Sequence, residues 1–250
     1  MAKAAQILSI AELKKKHGKR YSKSAEKIRS FEKAYFSIDE AIKAILETPA
    51  PKFDESLHIA LRLGVDPKHS DQMVRGAVVL PHGTGKSATV VVFAKGEKIK
   101  EAEEAGALEV GGEELAQKIL GGWTDFTSVV ATPDMMPIVS KVARVLGPKG
   151  LMPNPKLGTV TMDLKSVIGE LKKGRVEFRA EKAGIVHAPI GKRSLGAEKL
   201  LENLKMLLET VVRLKPSTSK GSYILSAYLS SAMGPSLMLD HQAILSTFSK

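Results

Sequence analysis

The sequence contains no cysteine, and this absence excludes disulfide bonds, thiolate catalysis and cysteine-ligated zinc sites. Aromatic residues make up only 5% of the chain, so base stacking cannot be its main way of binding a nucleic acid. The longest apolar runs, such as residues 90–94, are far too short to span a bilayer. The first eleven residues lack a long apolar region and make a poor secretory signal. The sequence therefore predicts a cytoplasmic, soluble protein with no membrane partner.

The chain has 250 residues and is 43% hydrophobic, which is enough for one large domain or two ordinary domains with real cores. Its net charge of +11 is unevenly distributed. Residues 1–35 hold ten basic and three acidic residues and residues 159–250 hold fourteen and eight, whereas residues 68–158 hold eleven and ten. This asymmetry favours a polyanion that contacts the flanks of the chain. The alternative is a generic basic protein with solvated lysines.

The first flank offers little regular structure. Residues 1–35 are rich in lysine and lack a strong apolar face, so they are predicted to be a basic arm, partly ordered only on a partner. Ser37 and Glu40 have the spacing of a capping box, which predicts a helix running to about Leu46. Residues 57–63 alternate apolar with other side chains and predict one half-buried strand.

The pattern changes at about Lys68, where near-continuous apolar segments begin to alternate with helical ones. Such apolar segments are typical of strands covered on both faces. The strands are predicted at residues 74–80, 89–94, 108–110 and 127–131, and the helices at residues 97–105, 113–120 and 132–146. Strands that alternate with helices predict an α/β domain of three layers, similar to a Rossmann fold.

Amphipathic patterns return after Gly158. They predict a helix, two strands, a long helix and a strand, at residues 163–172, 175–179, 185–190, 197–214 and 222–230. The single strand at residues 57–63 cannot form a domain alone, so we expect it to join the sheet of this second flank. The predicted organisation is a basic arm, an outer α+β domain split in sequence, and an inserted α/β domain, at residues 1–35, 36–67 plus 159–250, and 68–158.

The segment Gly83-Thr84-Gly85-Lys86-Ser87 is similar to part of a phosphate-binding P-loop but fails two requirements. Leu80 stands where the first glycine is needed, and the residues after Ser87 predict a strand where a P-loop needs a helix. The six histidines lack the spacing of a metal site, and no nucleophile elbow or triad is present. We therefore expect no enzymatic activity, cofactor or metal. The alternative is a nucleotide-dependent enzyme built on the inserted domain.

Basic residues and hydroxyl groups surround the predicted strands of both flanks. Lys52 and Phe53 precede the first flank strand, and the second flank carries Arg175, Arg179, Lys182, Lys192 and Arg193. Side chains of these types can contact phosphate, the ribose 2′-OH and a base face. With so few aromatic residues, shape and backbone contacts are expected to dominate. For Phe53, a place in the core is an equal alternative.

Residues 146–158 contain three glycines and three prolines, which makes the segment too stiff and irregular for a helix or an interior strand. It predicts a domain boundary or a surface that meets phosphate. Its sequence, LGPKGLMPNPKLG, resembles the signature of the bacterial L-one family of large-subunit ribosomal proteins. Further segments resemble the same family in order along the chain, at residues 17–21, 52–56, 70–72, 75–76, 80–83 and 233–236.

This resemblance implies an outer α+β domain with an inserted α/β domain. It also implies a structural protein that binds ribosomal RNA and forms the mobile stalk beside the exit site for tRNA. A third implication is that the free protein binds its own messenger RNA and represses translation. The family residues that contact ribosomal RNA match Lys52, Phe53, Ser56, Ser226, Met233 and Gly234. One departure is Ala232, where the family usually has threonine.

The residues and the resemblance together predict a set of RNA-binding side chains. The set consists of Lys52, Phe53, Ser56, Arg179, Lys182, His187, Lys220, Ser222, Ser226, Ser231, Met233, Gly234 and Ser236. A secondary RNA contact or a hinge role is predicted for Arg144, Lys149 and Lys156. The predicted partners are large-subunit ribosomal RNA, exit-site tRNA and the protein's own messenger RNA.

Overall fold

The computed structural model describes residues 18–31, 33–219 and 221–248. The first seventeen residues of the predicted arm, together with Glu32 and Lys220, lie outside the described residues. Within these described ranges, no helix is long and apolar enough to cross a membrane. The chain divides into two compact units. Unit 1 comprises the described residues up to Val74 and from Arg179 onward, and unit 2 comprises Arg75–Phe178.

The fold mixes helices with several sheets, and its elements are numbered here in chain order. The helices are α1 (Lys19–Arg29), α2 (Ile38–Glu47), α3 (Glu97–Glu104), α4 (Glu113–Leu120), α5 (Met136–Leu146), α6 (Leu164–Lys172), α7 (Ala197–Arg213) and α8 (His241–Phe248). The strands are β1 (Ser56–Leu63), β2 (Arg75–Val79), β3 (Val90–Phe93), β4 (Glu109–Gly111), β5 (Ser128–Ala131), β6 (Arg175–Arg179), β7 (Ile185–Lys192), β8 (Ile224–Ser231) and β9 (Ser236–Leu239). The sequence patterns predict all of these except α1, β9 and α8.

Unit 1 contains a four-stranded antiparallel sheet in the order β7–β1–β8–β9. β1 lies between β7 and β8, so that Ile59 faces Ala188 on one side and Leu229 on the other. The alternation predicted for β1 is confirmed, since the structure buries Leu57, Ile59, Leu61 and Leu63.

Helices cover one face of this sheet. α2 packs against α7, β8 and β9, and α8 packs against α7 and β8. The predicted capping box opens α2: the backbone N–H of Glu40 donates to Ser37 Oγ at 3.3 Å, and the N–H of Ser37 donates to Glu40 Oε2 at 3.4 Å. The other face carries the exposed side chains of His58, Arg62 and Tyr228. The sheet therefore has one buried and one open face.

Unit 2 contains a three-stranded parallel sheet in the order β4–β3–β5. All four residues of β3 are buried, as its continuous apolar pattern predicts. Val91 and Phe93 pack among residues of α4 and α5, whereas Val90 and Val92 pack among residues of α3 and α6. This arrangement gives three layers, with helices on both faces of the sheet.

Two segments pack elsewhere than their patterns suggested. The sequence assigns residues 163–172 to the outer domain, whereas Leu164, Ile168 and Leu171 of α6 lie in the core of unit 2. The sequence also assigns β2 and β6 to two different sheets, whereas these strands pair with each other in a separate two-stranded sheet. The reason is that an amphipathic pattern shows that a face is buried without showing which element covers it.

Candidate nucleic-acid interface

One end of the unit 1 sheet brings together residues that are distant in sequence. Ser56 lies opposite Lys192, and Leu57 lies opposite Ser231, because β1 begins where its antiparallel neighbours end. We call this end the Met233 end and define it by residues 52–56, 192–195 and 231–236. It contains seven of the predicted RNA-binding residues, namely Lys52, Phe53, Ser56, Ser231, Met233, Gly234 and Ser236.

A buried ion pair holds the Met233 end together. Glu55 is 2% exposed, and its Oε1 accepts a hydrogen bond of 2.8 Å from Nη1 of Arg193. Nη2 of Arg193 donates to the carbonyl oxygens of Leu46 at 2.5 Å and Thr48 at 2.6 Å, where α2 ends. The pair joins residues that are 138 positions apart in sequence. A buried pair with its hydrogen bonds satisfied fixes the local geometry and is costly to break.

Glu55 also positions the turn between β8 and β9. The N–H of Ala232 donates to the carbonyl oxygen of Ser56 at 2.9 Å, and the N–H of Met233 donates to Glu55 Oε2 at 3.4 Å. A Cβ on Gly234 would lie 2.4 Å from Oγ of the buried Ser231, so a larger residue at this position must displace that hydroxyl. The turn holds the Met233 side chain 52% exposed to solvent.

The segment before β1 exposes a second large apolar side chain. Phe53 is 54% exposed, and this excludes the alternative in which it lies in the core. Its neighbour Asp54 is tied to the turn after β7, because Oγ of Ser194 donates to Asp54 Oδ2 at 2.7 Å and the N–H of Ser194 donates to Oδ1 at 3.2 Å. Nζ of Lys192 lies 3.9 Å from Asp54 Oδ2. Phe53 is therefore presented from an anchored segment.

These contacts lower the pKa of the Asp54 carboxyl, and the hydrogen bond from the Ser194 hydroxyl is the largest cause. Ser194→Ala is expected to raise the pKa of Asp54 towards its ordinary value, which a carboxyl carbon NMR titration would measure. A lowered folded-state pKa contributes stability above the ordinary carboxyl pKa, and that contribution is lost as the pH falls through the lowered value. Ser194→Thr, which keeps a hydroxyl, is the control. An unchanged pKa in the alanine variant would show that the hydroxyl does not anchor Asp54.

Helix α1 reaches the Met233 end from the predicted arm. Nη2 of Arg20 donates to the carbonyl oxygen of Met233 at 3.2 Å. Further along the helix, Nζ of Lys27 donates to the carbonyl oxygen of Glu47 at 2.9 Å. The described part of the arm is thus a helix with contacts to unit 1, whereas the sequence predicts order only on a partner. The prediction missed α1 because the side chains that this helix buries, Ser22, Ser24 and Ala25, are small and give no strong apolar face.

The remaining predicted residues of unit 1 lie away from the Met233 end. Ser226 is paired with Arg62 across neighbouring strands, and His187 is paired with Ala60. Both predicted residues therefore lie on the open face of the sheet. At the opposite end lie the exposed Arg179, Lys182 and Ser222. Seven intervals along the eight residues of β1 separate the two ends by about 23 Å. The structure therefore distributes the predicted set over two ends and one face.

The predicted secondary contacts belong to unit 2. Arg144 is exposed on α5, and Nζ of Lys149 donates to Oγ1 of Thr124. The backbone of Lys156 lies in a 3₁₀ turn, Pro155–Leu157. These three positions remain a prediction.

Two cations that the sequence placed among the RNA contacts have structural partners instead. Arg193 pairs with Glu55, and Nη1 of Arg175 donates to Glu170 Oε2 at 2.7 Å while Nη2 donates to the carbonyl oxygen of Leu157. Sequence reasoning also missed Glu55 as the residue that positions the turn. A lone acid before a strand gives no signal of a partner so far along the chain. Among the described residues, no group of three or more histidine, aspartate or glutamate side chains could hold a metal ion.

Comparison with known proteins adds an independent observation. Residues 42–235 match the model of a family described as "Ribosomal protein L1p/L10e family". The chain is also 54% identical over 225 residues to a curated protein of Maridesulfovibrio salexigens named "Large ribosomal subunit protein uL1". That alignment covers 90% of this chain and 95% of the relative.

Proposed function

The chain belongs to the Ribosomal protein L1p/L10e family, and from that premise we propose that its Met233 end binds large-subunit ribosomal RNA. Proteins of this family are structural and non-enzymatic constituents of the large ribosomal subunit. The chain is accordingly a ribosomal protein of the cytoplasmic translation machinery. The resemblance noted in the sequence is confirmed, and a nucleotide-dependent enzyme is excluded.

The observation that carries the proposal is the pair of half-exposed apolar side chains held at the Met233 end. Phe53 and Met233 are each more than half exposed, although both come from anchored segments. Lys52 lies next to Phe53 on the same segment, and Arg20 donates a hydrogen bond to the carbonyl oxygen of Met233. Apolar side chains, backbone groups and cations at one rigid edge can read the shape of a folded RNA and contact its phosphates and 2′-OH groups.

The open face of the sheet provides further contact surface for the same RNA. Ser226 and His187 lie on this face, and Arg179, Lys182 and Ser222 lie at its far end. A span of about 23 Å corresponds to several base pairs of an RNA helix. We propose that the Met233 end fixes the position of the RNA and that the more distant cations add sequence-independent affinity.

The wider architecture is part of the same proposal. Unit 1 is the outer, RNA-binding domain of the family, and unit 2 is the inserted α/β domain. On the ribosome, the protein forms the mobile stalk beside the tRNA exit site, with tRNA as a further partner. Free protein represses translation of its own messenger RNA by binding it at the Met233 end. Arg144, Lys149 and Lys156 serve as secondary RNA contacts or as a hinge.

The test of the RNA site is a filter-binding titration of the protein against large-subunit ribosomal RNA at two salt concentrations. Met233→Ala is expected to weaken binding by about five- to tenfold at fixed salt, because it removes exposed apolar area that the RNA would cover.

Ala232→Thr is expected to tighten binding by roughly 2- to 12-fold, because a hydroxyl is added that can bond a 2′-OH or phosphate for ~0.5–1.5 kcal/mol.

Met206→Ala is the matched control, since Met206 is 42% exposed on α7 and lies outside the Met233 end. Its affinity for RNA is expected to stay within about twofold of the parent protein. If Ala232→Thr binds no better and Met233→Ala binds no worse, the turn does not lie at the RNA interface. A proposal that keeps the family but moves the site would then be needed.

A further inference from the structure

The segment Gly83-Thr84-Gly85-Lys86 lies outside the Met233 end, and its structure differs from a P-loop. Gly83 and Gly85 have φ angles of 64° and 74°, in the left-handed region that favours glycine. The segment leads into β3, with no intervening helix. It therefore lacks the helix N-terminus by which a P-loop holds nucleotide phosphates.

The segment nevertheless lines a cavity of about 450 Å³ in unit 2. Its walls come from residues 79–86 and 172–174, where α6 ends. Three lysines line it, namely Lys86, Lys172 and Lys173, and no aspartate or glutamate does. A volume of this size is ordinary for a small-molecule site. The charge of the lining favours an anion.

The segment that lines the cavity also carries unpaired backbone donors. Within the described ranges, the N–H groups of Thr84, Gly85 and Lys86 donate to no protein acceptor. The preceding N–H, of Gly83, donates to the carbonyl oxygen of Leu80 at 3.1 Å. Three successive unpaired amides in a glycine-rich turn resemble the backbone concavities that bind phosphate in other proteins.

Close packing fixes the loop in this conformation. Gly174 has a φ of 98°, and a Cβ there would lie 2.5 Å from Cα of Gly83 and 2.8 Å from the nitrogen of Thr84. A Cβ on Gly83 would in turn lie 3.0 Å from the carbonyl oxygen of Lys173. The two glycines thus allow the loop to pack against the end of α6, so the loop conformation is set by the fold and does not depend on a ligand.

From this geometry we propose that the cavity is a phosphate-binding site, which takes a phosphoryl group of RNA or of a free nucleotide without hydrolysing it. The end of α6 places roughly half a negative charge nearby. The side chains of Lys86 and Lys173 bring two positive charges to the lining, which exceed it, whereas Nζ of Lys172 donates to the carbonyl oxygen of Ala105, which does not line the cavity. This site is separate from the Met233 end, so either site can fail without the other.

Inorganic tripolyphosphate, titrated calorimetrically into the full-length protein at low salt, is the first probe. The double variant Lys86→Ala/Lys173→Ala is expected to bind it at least about tenfold more weakly, because two charge-assisted contacts are lost. Both lysines are exposed, so the variant should fold. The matched control is Lys165→Ala, which removes an exposed charge of α6 outside the cavity and should change affinity by less than about twofold.

Amide NMR shifts identify the location of the bound tripolyphosphate. The largest shifts are expected at Thr84, Gly85 and Lys86. Shifts elsewhere, no binding, or an equal loss in Lys165→Ala would overturn the site and leave only an effect of net charge.

Two further arms identify the source of the phosphate. A free nucleotide as the natural ligand predicts that ATP displaces tripolyphosphate and binds more tightly than it. RNA as the ligand predicts that Lys86→Ala lowers the dependence of log affinity on log salt by about one for RNA. In that case Lys86→Ala lowers RNA affinity itself by only a few-fold. Met233→Ala is expected to weaken RNA binding both in the parent protein and in the Lys86→Ala variant.

Discussion

Glu55→Ala is expected to destabilise unit 1 by about 3–5 kcal/mol, because removal of one partner leaves the other charge of a buried pair uncompensated. Arg193 would retain only the neutral carbonyl oxygens of Leu46 and Thr48. The N–H of Met233 would also lose its acceptor, so RNA affinity is expected to fall together with stability.

Because the chain has two units, the measurement must report on unit 1 alone. Hydrogen exchange of the amides in β1 and β8, followed in increasing urea, provides this. Fluorescence of the single tryptophan, Trp123, reports on unit 2 instead. The control is Arg213→Ala, because Arg213 and Glu209 form an exposed pair within unit 1 for which about 0–1 kcal/mol is expected. A loss below about 1 kcal/mol in Glu55→Ala would show that the buried pair does not hold the Met233 end.

The second large effect is expected when unit 2 is removed. The N–H of Ala180 donates to the carbonyl oxygen of Val74 at 2.8 Å. The points at which the chain leaves and re-enters unit 1 therefore lie side by side within that unit. A chain in which a short Gly/Ser linker joins residue 74 to residue 179 is therefore expected to fold. Its affinity for ribosomal RNA should stay within about tenfold of the full-length protein, since the Met233 end is retained.

A chain joined from residue 67 to residue 159, as the sequence-based boundaries suggest, provides the comparison. It retains α6 but removes Val90, Val92 and Ala102, against which that helix packs. Each apolar side chain of α6 that becomes exposed would lose roughly 1.5–3 kcal/mol of stabilisation from burial. This version is therefore expected to aggregate or to bind a hydrophobic dye. Circular dichroism and RNA titration on both versions are the measurements. A 74–179 chain that folds but does not bind RNA would count against the site, and one that does not fold would count against the architecture.

Local patterns predicted much of the fold correctly. The alternation in β1, the continuous burial of β3 and the capping box of α2 all follow from the period of side-chain orientation along a strand or helix. That period is set within a few residues, so it can be read without knowledge of the partner. The strand β9 was not predicted, because Ser236–Leu239 lacks the run of β-branched residues that marks the equally short β3.

The candidate site was predicted less completely. The exposed Phe53 and Met233 were among the predicted residues, whereas Glu55 was not. The sequence placed Arg193 with the RNA-facing cations, although its guanidinium is largely covered and pairs with the buried Glu55. A basic side chain looks the same in sequence whether it faces solvent or a buried acid.

The sequence by itself therefore determined the family, the basic flanks and the identity of most helices and strands. Only the tertiary structure decided that α6 belongs to the core of unit 2, that Glu55 meets Arg193, and which predicted residues gather at the Met233 end. The physical reason is the range of the interactions. Secondary structure reflects steric and hydrogen-bonding preferences between near neighbours, whereas packing and ion pairing join residues more than a hundred positions apart, whose proximity exists only after the chain has folded.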